Sequence, residues 1–282
     1  MRLQLLSDLH LETEAFEPVP ARDAEVLVLA GDIDSRWDGL ERFRGWPVPV
    51  IFVAGNHEFD GRELTQAWPA LRDRCEGLGF TLLERESVVF TGRSGQRVRF
   101  VGTIRWSDFD LFGTEGRERA MRAAGYFMRL MAARRGGLQF DAAGVRDEAL
   151  ACRQWLANEL RAPQGDWDAT VAITHFGPSS RSADPRYGKQ PGTASFCNAD
   201  DDLLPLAQLW IHGHVHCRHD YLVDAGHGAP TRVVCNARGH ARKGEAVGFD
   251  GLRVVDLESA LTRVNSAAAA RVRLIPCASS KE

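Results

Sequence analysis

Residues 2–10 read RLQLLSDLH: a short run of mostly Leu ends at once on Ser7-Asp8-Leu9-His10, an acid and an imidazole. A run this short, bounded by polar residues, reads as a buried strand. The same pattern recurs along the chain. VLVLA at 26–30 leads into Gly31-Asp32, VIFV at 50–53 into Ala54-Gly55-Asn56-His57-Glu58, TVAIT at 170–174 into His175, and QLWI at 208–211 into His212-Gly213-His214-Val215-His216. VRFV at 98–101 is a further strand, and helical spacing fills 62–77 and 146–161 between them. Strands alternating with helices predict an α/β sandwich of sheet and helices. Ligand sites in α/β sheets gather at the carboxyl ends of strands, so these polar endings are expected to face one crevice.

Each ending has a reading in coordination chemistry. In an extended chain, positions i and i+2 point to the same side, so Asp8 with His10, and His214 with His216, reach one ion while Val215 turns inward. Gly31, Gly55 and Gly213 let the backbone turn just before the ligands. The candidate ligands are Asp8, His10, Asp32, Asn56, His175, His214 and His216. Neutral imidazoles with a few carboxylates suit manganese, iron or zinc better than calcium. Seven ligands exceed one tetrahedral zinc and fit two ions.

The remaining segments frame this pattern. Residues 219–224, 230–235 and 252–256 alternate like antiparallel strands. Residues 107–140 break the rhythm and carry Arg117, Arg119, Arg122, Arg129, Arg134 and Arg135 beside Phe112, Tyr126, Phe127 and Met128. They predict either a lid-like helical insertion or a helix with a solvated outer face. Residues 177–199, crowded with Gly, Pro and Ser, predict a loop, and the alanines of 264–270 a helix or loose tail within a 264–282 extension. The whole, 1–282, is expected to form a single domain.

A formal charge of −3 gives no overall attraction to nucleic acid or anionic lipid, so an anionic substrate would be drawn by local charge, including bound metal. No window approaches the roughly 18 apolar residues of a membrane span. The start is too quickly acidic for a secretion signal, and six scattered cysteines form no Cys-x-x-Cys pair. A cytoplasmic protein is expected, with no membrane and no obligate protein partner.

Taken in order, Asp8-Leu9-His10, Gly31-Asp32, Gly55-Asn56-His57-Glu58, His175 and Gly213-His214-Val215-His216 resemble the blocks of the calcineurin-like metallophosphoesterase superfamily. The resemblance implies a four-layered α/β/β/α sandwich and two divalent ions, manganese favoured over iron, zinc or magnesium. It implies one ion on Asp8, His10 and His216, a second on Asn56, His175 and His214, and Asp32 bridging both. His57 would face the substrate phosphate without binding metal. The chain departs from the Ser/Thr protein phosphatases of this superfamily at Gly31-Asp32-Ile33-Asp34-Ser35-Arg36-Trp37, where the second Asp comes one place early and no Gly follows Arg36. It looks more like the small bacterial phosphodiesterase-type members.

The expected activity is phosphodiester hydrolysis by in-line attack of a metal-bridging hydroxide, with His57 and Asp32 as catalytic residues. Phosphomonoester or pyrophosphate hydrolysis and nuclease activity are the alternatives within the enzymes, and a metal-binding scaffold is the alternative outside them. The Arg-rich stretch 117–135 is the one hint of a nucleic-acid surface. Arg181, Arg186, Tyr187, Lys189, Arg238 and His240 are further residues that could line the crevice. Asp34 is a candidate to orient His57 or to contact water in the crevice, His212 to point away from the ligands or orient one, and His219 and His227 to lie on the surface.

Overall fold

The computed structural model describes residues 1–224 and 230–257; His227 and the 264–282 extension lie outside them. In chain order the strands are β1 (Arg2–Leu6), β2 (Val26–Ala30), β3 (Val50–Val53), β4 (Phe80–Leu82), β5 (Glu86–Thr91), β6 (Arg97–Thr103), β7 (Arg134–Arg135), β8 (Leu138–Gln139), β9 (Ala169–Thr174), β10 (Leu209–His212), β11 (His219–Val223), β12 (Thr231–Cys235) and β13 (Val254–Asp256). The α-helices are α1 (Leu64–Leu78), α2 (Thr114–Met131) and α3 (Ala142–Leu160).

One sheet runs β13-β1-β2-β3-β4 and the other β11-β12-β10-β9-β6-β5. The interior pairings are parallel, while β13, β11 and β5 close the edges antiparallel. Leu3, Leu5, Val28 and Ile51 meet Phe100, Val171, Ile173 and Ile211 in the apolar layer between the sheets. The alternate residues Leu27, Leu29 and Phe52 turn outward onto Leu71 and Cys75 of α1. Val101, Ala172 and Trp210 turn outward onto Leu156 and Leu160 of α3. Strands buried on both faces need continuous apolar sequence, which is why VLVLA and VIFV show no alternation. The result is the helix–sheet–sheet–helix sandwich that the sequence predicts.

The segment predicted as an insertion is docked on the fold. Ala120, Ala124 and Met131 of α2 are buried, while Tyr126 and Leu130 stay exposed. Its far end is fastened where Gly61 N donates to Met131 O and Arg134 N to Arg62 O. The loop predicted at 177–199 contains short 3-10 turns at Ser180–Ser182 and Pro191–Ser195. It is anchored by the buried Arg105, which donates to both oxygens of Asp200 and to Asp108. Among the described residues no helix is long and apolar enough to cross a membrane.

Candidate metal centre

The carboxyl ends of β1, β2, β3, β9 and β10 meet, and the polar residues that follow them converge. Ligating atoms of Asp8, His10, Asp32 and His216 all lie within 4.8 Å of one another, as do those of Asp32, His175 and His214. Asp32 belongs to both groups. His10 Nε2 and His216 Nε2 stand 3.0 Å apart, and His175 Nε2 stands 3.1 Å from Asp32 Oδ2. Asn56 sits between two residues that touch Asp32: Gly55 packs on its backbone, and His57 N donates to its Oδ1 at 2.9 Å.

The backbone achieves this convergence differently from the extended chain expected. β1 stops at Leu6 and β10 at His212, and the ligands beyond them adopt left-handed backbone. Their φ angles are 52° at Asp8, 48° at His10, 53° at Asp32, 68° at His214 and 48° at His216. Alternate left-handed residues curl each loop so that both side chains face the same point. Asp and His tolerate this region better than most residues. The curl is held by neighbouring loops: Asp8 N donates to Gly31 O, His10 N to Asp32 O, and His214 N to the Asp8 carboxylate.

The glycines also act otherwise than expected. Only Gly31, at φ 87°, uses the conformation that glycine permits. Gly55 and Gly213 supply space instead: a Cβ would stand 2.5 Å from Asp32 N in the first and 2.6 Å from Asp8 Oδ2 in the second.

Four imidazoles have one nitrogen fixed by an acceptor, which leaves the other for the centre. His175 Nδ1 bonds Ala30 O at 2.8 Å, His216 Nδ1 bonds Glu245 Oε2 at 2.8 Å, His10 Nδ1 bonds Glu12 Oε1 at 3.2 Å, and His214 Nε2 bonds Ser195 O at 3.1 Å. Acceptors of this kind orient metal-binding imidazoles. Asn56 Oδ1 is buried with no hydrogen bond among the described residues, and Asp32 Oδ2 and His175 Nε2 are buried with only each other, 3.1 Å apart. With His175 Nδ1 committed to Ala30 O, Nε2 meets that carboxylate through a proton or a metal ion, so these atoms on candidate ligands fit a cation. Electrostatics agree. Burial works against charge on His175, but the Asp32 carboxylate pushes it up to about 9. Burial likewise opposes charge on His57, which Asp32 and the hydrogen bond to Asp60 push up to about 10. Asp32 thus draws positive charge to this point, and a metal ion answers that demand.

His57 is placed apart from the ligands. Its side chain is 38% exposed, against 2% for His10 and 0% for His175. Its Nδ1 pairs with Asp60 Oδ2 at 2.8 Å, so Nε2 is the nitrogen outside that pair. Asp34, a candidate either to orient His57 or to contact water, accepts from Arg36 N and Gly39 N and shapes the turn after β2, and Asp60 holds His57 instead. Arg238 is not on the crevice rim: it is buried, donating to Glu14 and to Ala15 O. His240 does reach the site, stacking on His10 with centroids 4.4 Å apart. Arg186 is tied to Asp184, and Arg181 to Leu222 O and the Tyr221 ring, while Tyr187 and Lys189 are exposed. His212 turns its Nδ1 to Gly213 O, and burial pushes it down to about 3. His219, expected on the surface, is half-buried in β11 against His212 and Tyr221.

Four carboxylates had no role assigned from the sequence: Glu12 and Asp60, which hold His10 and His57, and Glu58 and Glu245. Glu58 is fully buried and accepts from the backbone N–H of Asp32, Ile33, Asp34 and Gly55, bracing the loops after β2 and β3 together. Its signal was its place in the Gly55-Asn56-His57-Glu58 block. Glu245, beneath His216, had no signal in the sequence.

A sandwich of two mixed sheets with this His/Asp cluster at its strand ends defines a metal-dependent phosphoesterase. The family profile described as calcineurin-like phosphoesterase matches residues 1–218, and the chain belongs to that family. No curated protein matches it. Among solved structures it is similar to phosphopantetheinyl hydrolase (PptH) from Mycobacterium tuberculosis, with 19% identity, a TM-score of 0.63, and 90% of this chain and 95% of that chain covered. A dimetal phosphatase from Danio rerio is 15% identical with a TM-score of 0.49, covering 84% of this chain and 87% of that one. The first likeness shows the fold.

Proposed function

We propose that the protein hydrolyses small phosphodiesters with two divalent ions, manganese favoured. Asp8, His10 and His216 would hold one ion, Asn56, His175 and His214 the other, and Asp32 both. The observation that carries this reading is that Asp32 belongs to both ligand groups, with Asp8, His10 and His216 in one and His175 and His214 in the other. Bound there, the ions supply Lewis-acid neutralisation of phosphate oxygens and acidify coordinated water. His57, steadied by Asp60, offers its Nε2 to the phosphate or to the departing oxygen. Glu58 keeps Asp32 in place by holding the N–H groups on either side of it.

The charge around the crevice favours a diester. Glu12, Glu14, Asp60 and Glu245 surround the imidazoles, and Arg238 and Arg186 are committed to Glu14 and Asp184. A diester monoanion suits such a rim better than a monoester dianion, which calls for additional cations. The M. tuberculosis structure is named for hydrolysing a phosphopantetheinyl group; its likeness carries the fold, and the ester preference rests on these charges. A nuclease is disfavoured because Arg117, Arg122 and Arg135 are paired with Asp110, Glu118 and Glu148. The lid-like reading of α2 is supported by a chain of ring contacts: Phe127 packs edge-on to Phe196, which stacks on His214. The described cysteines are free thiols, which accords with a reducing compartment.

The test is hydrolysis of bis-p-nitrophenyl phosphate against p-nitrophenyl phosphate, each with manganese, zinc, magnesium or no metal. The diester is expected to be turned over at least tenfold faster in kcat/KM, and only with metal. A faster monoester would overturn the preference, and no turnover with any metal would favour the scaffold.

A further inference from the structure

We propose that His240 is an additional ligand of the ion held by Asp8, His10 and His216. The inference rests on the two-ion reading above and adds a residue from outside the segment that the family profile matches. A ring nitrogen of His240 lies within 4.8 Å of those of both His10 and His216. The ring stacks on His10 at 4.4 Å and 26°, and stands edge-on to His216 at 5.2 Å and 75°. Its Nδ1 is buried without a hydrogen bond, with Glu14 Oε1 3.5 Å away. His10 and His216 each turn Nδ1 to a carboxylate, so their Nε2 atoms face each other at 3.0 Å with lone pairs that a divalent ion shared with His240 satisfies.

The placement of His240 is built into the backbone. Arg238 N donates to Ser7 O at 3.1 Å and Gly239 N to Asp8 O at 2.9 Å, so the chain after β12 is laced to the loop that carries Asp8. His240 N then donates to Glu245 Oε2 at 2.9 Å, the same oxygen that receives His216 Nδ1 at 2.8 Å. One carboxylate therefore fixes the ring of His216 and the main chain of His240 together. Gly239, at φ 65°, makes the approach possible: a Cβ there would stand 2.7 Å from Glu245 Cβ and 3.0 Å from His216 Cβ. A surface histidine needs none of these four constraints.

The experiment is metal binding by the full chain after chelation. Cobalt(II) is titrated with visible absorption as the readout, and manganese(II) by calorimetry. The wild type is expected to take two equivalents. His240→Phe keeps a stacked ring and removes both nitrogens; one equivalent should weaken at least tenfold with an altered cobalt absorption band, and the other should be unchanged. His240→Gln, a second variant of different bulk, should show the same loss. Wild-type affinity and spectrum for both equivalents in either folded variant would overturn the role of His240 alone. Failure of the wild type itself to bind cobalt would overturn the two-ion reading with it.

Discussion

The part of the chain matched by the family profile, residues 1–218, and the described part beyond it, 219–224 and 230–257, build the same site in different ways. The first supplies all seven candidate ligands from loops at parallel strand ends, five of them on left-handed backbone and with oriented imidazoles. The second supplies two antiparallel edge strands, β11 and β13, the parallel strand β12, Glu245 beneath His216 and His240 against His10. Damage to the first part is therefore expected to reach the whole centre, and damage to the second to stay at one ion.

The strongest expectation concerns Asp32→Asn. Both ions share this residue, so metal content should fall at both positions and kcat/KM by on the order of a thousandfold. Retention of two tightly bound ions, measured by elemental analysis, would break the contrast. Next comes His57→Ala, expected to lower kcat by roughly a hundredfold or more while metal content stays near wild type. Gly55→Ala forces a Cβ against the backbone of Asp32, and overpacking of this kind costs about 1–3 kcal/mol. Its melting temperature should drop, and addition of manganese should recover little of it. Glu245→Gln lies on the other side of the comparison: one ion should weaken by roughly 10–100-fold, as when an orienting partner is lost, with the other intact. Equal weakening of both would show that the two regions are not separable.

The last expectation lies away from the centre and touches stability alone. Burial pushes the Glu84 carboxyl up from 4.5 to about 7, although it accepts from Ile104 N and Thr103. A carboxyl raised on folding favours the folded state when protonated. Its contribution is therefore full below about 4.5 and lost as pH rises through about 7, a difference of roughly 3 kcal/mol. Glu84→Gln should flatten that part of the stability–pH curve in chemical denaturation, leaving metal binding unchanged.

What the sequence disclosed and what it concealed follow from burial. β2 and β3 were legible to the residue because strands covered on both faces are continuously apolar. β4 has three residues, and β5 is an edge strand with alternating exposure, so neither stood out. α1 and α3 were found, with starts displaced by two and four residues from the predicted 62 and 146. The identities of the residues that converge at the centre were plain, since Asp, His and Asn after apolar runs are conspicuous. Their backbone was not, because a left-handed residue and an extended one are spelled alike unless glycine is used. The acceptors behind the imidazoles were least visible: Ser195 acts through its carbonyl, and Glu245 comes from a segment with no periodic pattern.

The left-handed residues of the centre bear on stability. Non-glycine residues in sparsely populated backbone regions cost on the order of 1–3 kcal/mol each, and five of the candidate ligands are such residues. Their sum rivals the roughly 5–15 kcal/mol by which domains are stable. Glycine would hold the backbone at 8, 10, 32, 214 and 216 more cheaply, so the side chains that make the site are carried at a cost in stability that the φ angles reveal.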